Sequence, residues 1–572
     1  MRWPLLILAS FSHLAHSVLW RDDTILSFFD KVFRRANVKY LKQLRQNVAN
    51  ICTITAILLN ISTAKRDRRF SIAKTVFQIY FLKIMQRSQA PSPIQIAKPP
   101  GGTPSCGSAQ SMHIRPSGYG TQIMKLASVK ELEAYLEKYP DTDTLELLLS
   151  DQSGYLRGKR VSRSAFEKVF TEGVCLPASV FGLDATGTTV EETGLGFETG
   201  DRDGTCFPLP STLVPVPWHP NRAQVLVTMV DEKNEPFGAN PRQVLEEVAE
   251  HLTEKGITPV IAVELEFYLI DRKFVKSTGL PQPPVSQKTG ERSQNTQVYS
   301  MDDLDDFRDF IDRVMHYSKI QNLPADGVIA EYAPGQFEVN LYHVKDPCLA
   351  ADQATMLKRV IRQAAADFDM KATFMAKPYI EESGSGTHIH CSILDKDGNN
   401  MFAENRDLLQ HAIGGLLDTL IASQVLMFPT QNSYKRLGAG TYAPHARTWG
   451  WDNRSVAVRV PNSPDHALRV EHRVAGADSN PYLSVALVLA GIDYGLTQKL
   501  TPPAPIEGNA YDQVPMELTD SPRIAVRNFT KHQAFANYFN PTFQKTMLAV
   551  READIRLFNK QISALEYEIL IG

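Results

Sequence analysis

Four stretches of this 572-residue chain carry residues able to do chemistry at strand spacing. Residues 258–270 read T-P-V-I-A-V-E-L-E-F-Y-L-I, a run built for a buried strand. Glu264 and Glu266 then project from one face, about 7 Å apart along the strand. Two unanswered buried carboxylates are costly, so something positive must meet them. A rim salt bridge satisfies that demand, and a metal ion satisfies it better. In residues 331–340, E-Y-A-P-G-Q-F-E-V-N, a Pro-Gly turn separates Glu331 from a strand with Glu338 and Asn340 on one face. In residues 383–392, S-G-S-G-T-H-I-H-C-S, glycines let backbone approach a ligand, and His388, His390 and Ser392 share a face. Residues 468–473, L-R-V-E-H-R, put Arg469, Glu471 and Arg473 together.

Each stretch alone is ordinary strand surface. Together they present acidic, His and Arg side chains on one face of four strands and apolar ones on the other. Carboxylates with an occasional imidazole suit Mg²⁺ or Mn²⁺ and not a structural zinc. Further arginines, Arg436, Arg454 and Arg459, suit phosphate and carboxylate oxygens. The chemistry implied is metal-assisted, on a phosphorylated or acidic small substrate such as a nucleotide. No G-x-x-x-x-G-K-[ST] loop occurs, which excludes a P-loop enzyme. The six cysteines include no C-x-x-C pair, so neither a thiolate zinc site nor a disulfide framework is signalled.

The elements that must carry these residues begin near Leu126. Residues 128–139 predict a short amphipathic helix and 144–150 and 158–162 predict strands around a turn at 151–154. Alternation returns over 224–230. Asn240 and Pro241 open a helix whose face is Val244, Leu245, Val248, Ala249 and Leu252, closed by Gly256. Helices are expected over 353–369 and 411–426, interspersed with β-branched strands, an α+β texture without repeats.

The formal net charge of −2 hides a division: residues 1–124 carry 17 basic and 4 acidic side chains, and the remainder nets −15. Apolar stretches at 4–20 and 51–61 fall short of the ~20 residues a spanning helix needs. Residues 88–120 are Ser/Pro/Gly-rich and read as linker. A targeting segment, a membrane-surface anchor, and an upstream stretch translated from a mis-called start all fit this basic extension. Met112 and Met124, just before the folded pattern, favour the last, with a disordered extension as its counterpart. A cytoplasmic location is expected, with no nucleic-acid partner and no membrane contact for residues 125–572.

The motifs V-E-L-E-F, E-Y-A-P-G-Q-F-E-V-N-L, G-S-G-T-H-I-H, N-S-Y-K-R-L, N-R-S-V-A-V-R-V-P and R-V-E-H-R-V-A-G-A-D-S-N-P-Y-L follow one another over residues 125–572. In that order they resemble the glutamine synthetase superfamily. The resemblance implies a small N-terminal β-grasp domain (125–235) and a large catalytic domain (236–572) with an antiparallel sheet and helices. It also implies a ring-shaped homo-oligomer, typically a dodecamer. By position, Glu266, Glu331 and Glu338 match the ligands of one metal ion, and Glu264, His388 and Glu471 those of a second. Arg436 matches the residue that holds the glutamate α-carboxylate, and Gly384 the loop glycine that approaches it. Arg454 and Arg473 match residues facing the phosphoryl group and γ-carboxylate, and His390, Ser392, Arg459 and Arg469 match ATP contacts. Asp184 matches an acidic residue that reaches the neighbouring subunit's amine site.

One departure is informative. Ammonia-using members carry P-G-Y-E-A-P after K-R-L, with a Glu that binds and deprotonates ammonium. Here residues 438–444 read G-A-G-T-Y-A-P, and Tyr442 stands at that Glu's position. The same change marks the γ-glutamylputrescine and γ-glutamylpolyamine synthetase branch, which Y-L-E-K-Y-P, L-P-A-S-V-F, V-E-E-T-G-L-G and T-F-M-A-K-P-Y also resemble. The resemblance therefore implies ATP-dependent ligation of glutamate to putrescine or a related polyamine, through a γ-glutamyl phosphate, in polyamine catabolism. Tyr442, Trp449 and Trp451 are candidates for apolar walls and a cation–π face, both tryptophans being equally suited to a core. An ammonia-using glutamine synthetase and a catalytically silent structural member are the alternatives. Tyr511, in N-A-Y-D, is expected as an exposed loop tyrosine.

Overall fold

The computed structural model describes residues 124–273, 281–292, 298–438 and 442–571. By contacts the chain separates into Met1–Pro104 and Ser105–Gly572, and everything described belongs to the second unit. The basic extension, its apolar stretches and its linker lie outside the described residues, Met124 excepted. Among the described residues no helix is long and apolar enough to cross a membrane.

A six-stranded sheet comes first. Its strands are β1 (Thr144–Ser150), β2 (Leu156–Ser162), β3 (Val174–Pro177), β4 (Asp203–Pro208), β5 (Val214–Pro215) and β6 (Arg222–Val230), in the order β2-β1-β6-β4-β3, with β5 also on β6. Only β1 and β6 run parallel. Leu145, Leu147 and Leu149 of β1 pack with Leu132 and Tyr135 of the helix Val129–Lys138, which Ser128 caps. Leu148 and Leu226, on the opposite face, join the main core. Both faces of β1 are therefore buried, which is why it reads as an unbroken apolar run.

The polar exception on β1 is Glu146, which is 3 % exposed. Its carboxylate meets Arg160 (2.7 Å), Arg222 (3.5 Å) and Arg359, the last on the helix Pro347–Asp367. One buried acid thus ties the six-stranded sheet to a helix of the main core.

The second sheet carries most of the candidate site residues. Its strands are β7 (Thr258–Asp271), β8 (Ala325–Ala330), β9 (Gln336–Leu341), β10 (Met370–Thr373), β11 (Thr387–Leu394), β12 (Trp449–Trp451), β13 (Val458–Val460) and β14 (Val470–His472). The order is β12-β13-β14-β11-β7-β9-β8, with β10 also on β7, and all pairs are antiparallel except β12 with β13. Alternation decides the two faces. Val263, Leu265 and Phe267 of β7, Phe337 and Val339 of β9, and Ile389 and Cys391 of β11 enter the main core. The residues between them form the polar face.

That core is closed by the helices Pro241–Thr253, Pro347–Asp367, Arg406–Met427 and Pro481–Gln498. Asn240 caps the first as expected, its side chain accepting from Arg242 N at 3.1 Å. The third and fourth cross so closely that a Cβ on Gly415 would overlap the Gly491 carbonyl, which only glycine permits. The sequence placed the starts of two helices too late: they begin at Pro347 and Arg406, where Asp346 and Asn405 supply the caps.

Candidate active site

Strand register assembles the site. On the polar face, β7 opposes Glu264 to His388 of β11 and Glu266 to Glu338 of β9. On the other side of β11, β14 opposes Glu471 to His390, and β13 then opposes Arg459 to Glu471. A one-residue slip in any pairing would turn these side chains into the apolar core, so packing the core fixes the site.

The side chains converge on His388. Its Nδ1 lies 3.1 Å from Glu264 Oε2 and 3.9 Å from both Glu338 and Glu471, while its Nε2 lies 3.5 Å from Glu266. Two groups have ligand atoms within 4.8 Å of one another: Glu264, His388 and Glu471, and Glu266, Glu338 and His388. Among the described residues neither group includes Glu331, which is half-buried beyond the end of β8, its N–H donating to Gln336 O at 2.9 Å.

Electrostatics separates the carboxylates. Glu471, 1 % exposed, is ion-paired to Arg459 at 2.8 Å and to Arg473. Burial pushes its carboxyl up, but Arg473, His390 and His388 outweigh that and hold it down at about 2. Glu264 is half-buried, and against the burial that would raise its carboxyl it is held well below the usual carboxylate range by His390 and His388. His390 lies between two charged groups, its Nδ1 3.1 Å from Arg469 Nε and its Nε2 2.8 Å from Glu264 Oε1. Glu338 shifts the other way, raised by burial and by Glu264, Glu266 and Glu331. Glu331 is pushed up to about 7 by burial and Glu266, against Arg454 and Arg473.

The proton that Glu331 holds near neutrality is one that a divalent cation would displace. The donor set of carboxylate oxygens with one imidazole fits Mg²⁺ or Mn²⁺. A carboxyl raised in the fold favours folding while it stays protonated, and that contribution is lost as pH rises from about 4.5 through about 7. A bound cation reverses the balance. Mn²⁺ should therefore bind at least ~10-fold more tightly at pH 8 than at pH 6, with proton release. Equal affinity at both pH values in a calorimetric titration would refute this.

The loop 383–386 borders the cluster. Gly386 N donates to Glu266 Oε2 at 2.7 Å, and Tyr268 Oη donates to Ser383 O at 2.5 Å. A Cβ on Gly384 would come within 2.6 Å of Arg436 Cγ and 2.8 Å of Ala376 O, so glycine is required there. Arg436 is 4 % exposed, and its Nη1 donates to Val474 O at 2.8 Å and Ala475 O at 3.3 Å.

Other expected residues distribute as follows. Ser392 is half-buried on the same face of β11, opposite Val260. Arg454 is exposed, its charge acting on Glu331. Asp184 is not brought to the cluster within the chain. It caps its own turn, accepting from Thr186 N (2.9 Å), Thr186 Oγ1 (2.6 Å) and Thr188 N (3.0 Å). Tyr442 is described, although 439–441 of the same flap lie outside the described residues. Trp449 is 3 % exposed with its indole N–H on Pro503 O at 2.7 Å, so it is core, whereas Trp451 is half exposed. Tyr511 corrects the expectation: it is half-buried against His445, ring centroids 4.9 Å apart, because it opens a helix capped by Asn509.

Asp452 was missed. It accepts from Arg459 Nη2 at 2.5 Å and so orients that arginine from the side opposite Glu471. Its only sequence signal is its position two residues before Arg454.

Comparison with known proteins follows from this geometry. Residues 238–570 match the family model of the glutamine synthetase catalytic domain. The γ-glutamylputrescine synthetase of Escherichia coli is 40 % identical over 450 residues, 78 % of this chain and 95 % of that protein. A glutamate–isopropylamine ligase of Pseudomonas sp. is 33 % identical over 68 % of this chain and 85 % of its own length. Among solved structures, ligand-free GmaS superposes with a TM-score of 0.67 at 24 % identity, covering 77 % of this chain and 99 % of that one, a likeness of fold.

Proposed function

The chain belongs to the glutamine synthetase family, and on that premise we propose that it is an ATP-dependent ligase joining the γ-carboxylate of glutamate to a primary amine, putrescine or a related polyamine. The observation that carries this reading is the pair of carboxylate–imidazole groups around His388, flanked by Arg459 and Arg473. The glutamate–amine relatives support the choice of reaction, and Tyr442 at the flap supports an amine over ammonia.

In this reading Glu266, Glu331 and Glu338 hold one divalent cation, and Glu264, His388 and Glu471 hold the other. The cations, when bound, neutralise and orient phosphate oxygens. The chain's own residues do the rest. Arg436 binds the α-carboxylate of glutamate, with Gly384 leaving room for it. Arg454 and Arg473 face the transferring phosphoryl group and the γ-carboxylate, where fixed positive charge stabilises what develops. His390, Ser392, Arg459 and Arg469 contact ATP. A carboxylate is a poor electrophile, so phosphorylation to γ-glutamyl phosphate precedes attack by the amine, which expels phosphate. Polyamine catabolism is the setting such a step serves, and the cytoplasm is where it would occur.

The same reading assigns the six-stranded sheet, within residues 125–235, to a β-grasp domain and residues 236–572 to the catalytic domain. Asp184 would serve the amine site of an adjacent copy in a ring-shaped homo-oligomer, dodecamer-like. The helix Ala564–Ile571 supports assembly, since Leu565, Ile569, Leu570 and Ile571 are all exposed.

The test is phosphate release by the purified protein, which should require glutamate, ATP, Mg²⁺ or Mn²⁺ and a diamine together. Equal or faster release with ammonia would sink the amine assignment.

A further inference from the structure

Two tyrosines from separate segments, Tyr332 and Tyr442, meet beside Glu331, and a third, Tyr299, is fastened nearby. Tyr332 follows it in sequence and is 41 % exposed. Tyr442 is 47 % exposed, its ring centroid 5.9 Å from that of Tyr332 at a tilt of 37°. Tyr299 is 57 % exposed, and its N–H donates to Ala330 O at 2.9 Å, which fastens it to the residue before Glu331. It also acts electrostatically on the Tyr332 phenol.

The backbone adds a second observation. Tyr299 has φ 63° and Tyr442 φ 53°, left-handed conformations that bulky residues rarely adopt. A fold that only needed turns there would use Gly or Asn. Strain of this kind concentrates where a side chain must point in a particular direction. Here it accompanies large, half-exposed rings that the core does not use, because none of the three joins a hydrophobic cluster.

We propose that Tyr332, with Tyr299 and Tyr442, forms the wall that selects the amine. The ring faces would hold the alkyl spacer and the distal ammonium of a diamine, while its reacting nitrogen lies toward Glu331. A phenol face attracts a cation and also covers methylene groups, which matches a molecule with two ammonium ends and an apolar middle. Ammonia has neither feature and gains nothing from such a wall. This inference rests on the ligase reading above and identifies the residue that sets its amine preference.

The experiment compares kcat/KM for 1,4-diaminobutane, butylamine and ammonia in the wild type and in Tyr332→Ala and Tyr332→Phe. Thermal unfolding confirms that each variant is folded, as expected for a half-exposed site. Tyr332→Ala should lower the ratio of diamine to ammonia kcat/KM at least ~10-fold, mainly through the diamine KM, with butylamine intermediate. Tyr332→Phe keeps the ring and should hold that ratio within ~3-fold. An unchanged ratio in the alanine variant overturns the inference while leaving the ligase reading intact. So does a phenylalanine variant as impaired as alanine, which would assign the effect to the hydroxyl. A wild type that turns over ammonia and neither amine overturns the ligase reading and this inference with it.

Discussion

Replacing Glu471 by glutamine should lower glutamate-dependent phosphate release on the order of a thousandfold. The substitution keeps volume and removes one negative charge from the most buried carboxylate of the cluster. That charge pairs Arg459 and Arg473 at once and belongs to the group with Glu264 and His388. Its loss therefore weakens cation binding and releases two guanidiniums from the positions in which they would meet phosphate. Buried Arg473 left without its acid, and half-buried Arg459 left with Asp452 alone, should also cost about 3 kcal/mol of stability. The sign with pH is determined. A carboxyl held down at about 2 stabilises the fold fully above its unfolded value near 4.5, and that contribution is lost as pH falls toward 2. The loss in Glu471→Gln should accordingly be complete at pH 7 and shrink in acid. Wild-type turnover, or wild-type Mn²⁺ affinity in a titration, would refute the role given to this residue.

Substituting Arg436 by lysine should raise the KM for glutamate about 100-fold, roughly 2.7 kcal/mol of binding. Val474 O and Ala475 O occupy one terminal nitrogen, which leaves the remaining guanidinium donors for a ligand. An ammonium has no such fork and cannot hold both carbonyls and a carboxylate. Because ATP is proposed to bind elsewhere, at His390, Ser392, Arg459 and Arg469, its KM should change less than ~3-fold. Parallel rises in both constants would show a general disturbance of the loop 383–386 and not a lost carboxylate contact.

The elements nearest the chemistry were the most legible. Residues 263–267 alternate apolar and acidic, so the faces of that strand, and those of 387–392, follow from period two alone. Which residues oppose each other does not follow. His388 meets Glu264 because β11 pairs with β7 across more than a hundred intervening residues, and no local pattern encodes that partner. Helix starts at Pro347 and Arg406 were misplaced because the start signals available in sequence, the caps Asp346 and Asn405, were passed over. Tyr511 was misread since its surroundings are polar in sequence, while the ring that covers it, His445, comes from another loop. The pairing of Tyr332 with Tyr442 belongs to the same class: two unremarkable tyrosines become a feature only when the fold joins them.

The central place of β7 also sets when the site can exist during synthesis. The strand emerges from the ribosome first and meets β9 after a modest wait, β11 later, and only then does β14 pair with β11. Until β14 (Val470–His472) has been translated and paired, Glu264 and Glu266 belong to a sheet in which Glu471 has no place. The group of Glu266, Glu338 and His388 is complete once β11 has paired, whereas the group with Glu471 waits for β14, so the two candidate cation groups form one after the other. Contacts so distant in sequence also make assembly of this sheet slow relative to the helices beneath it.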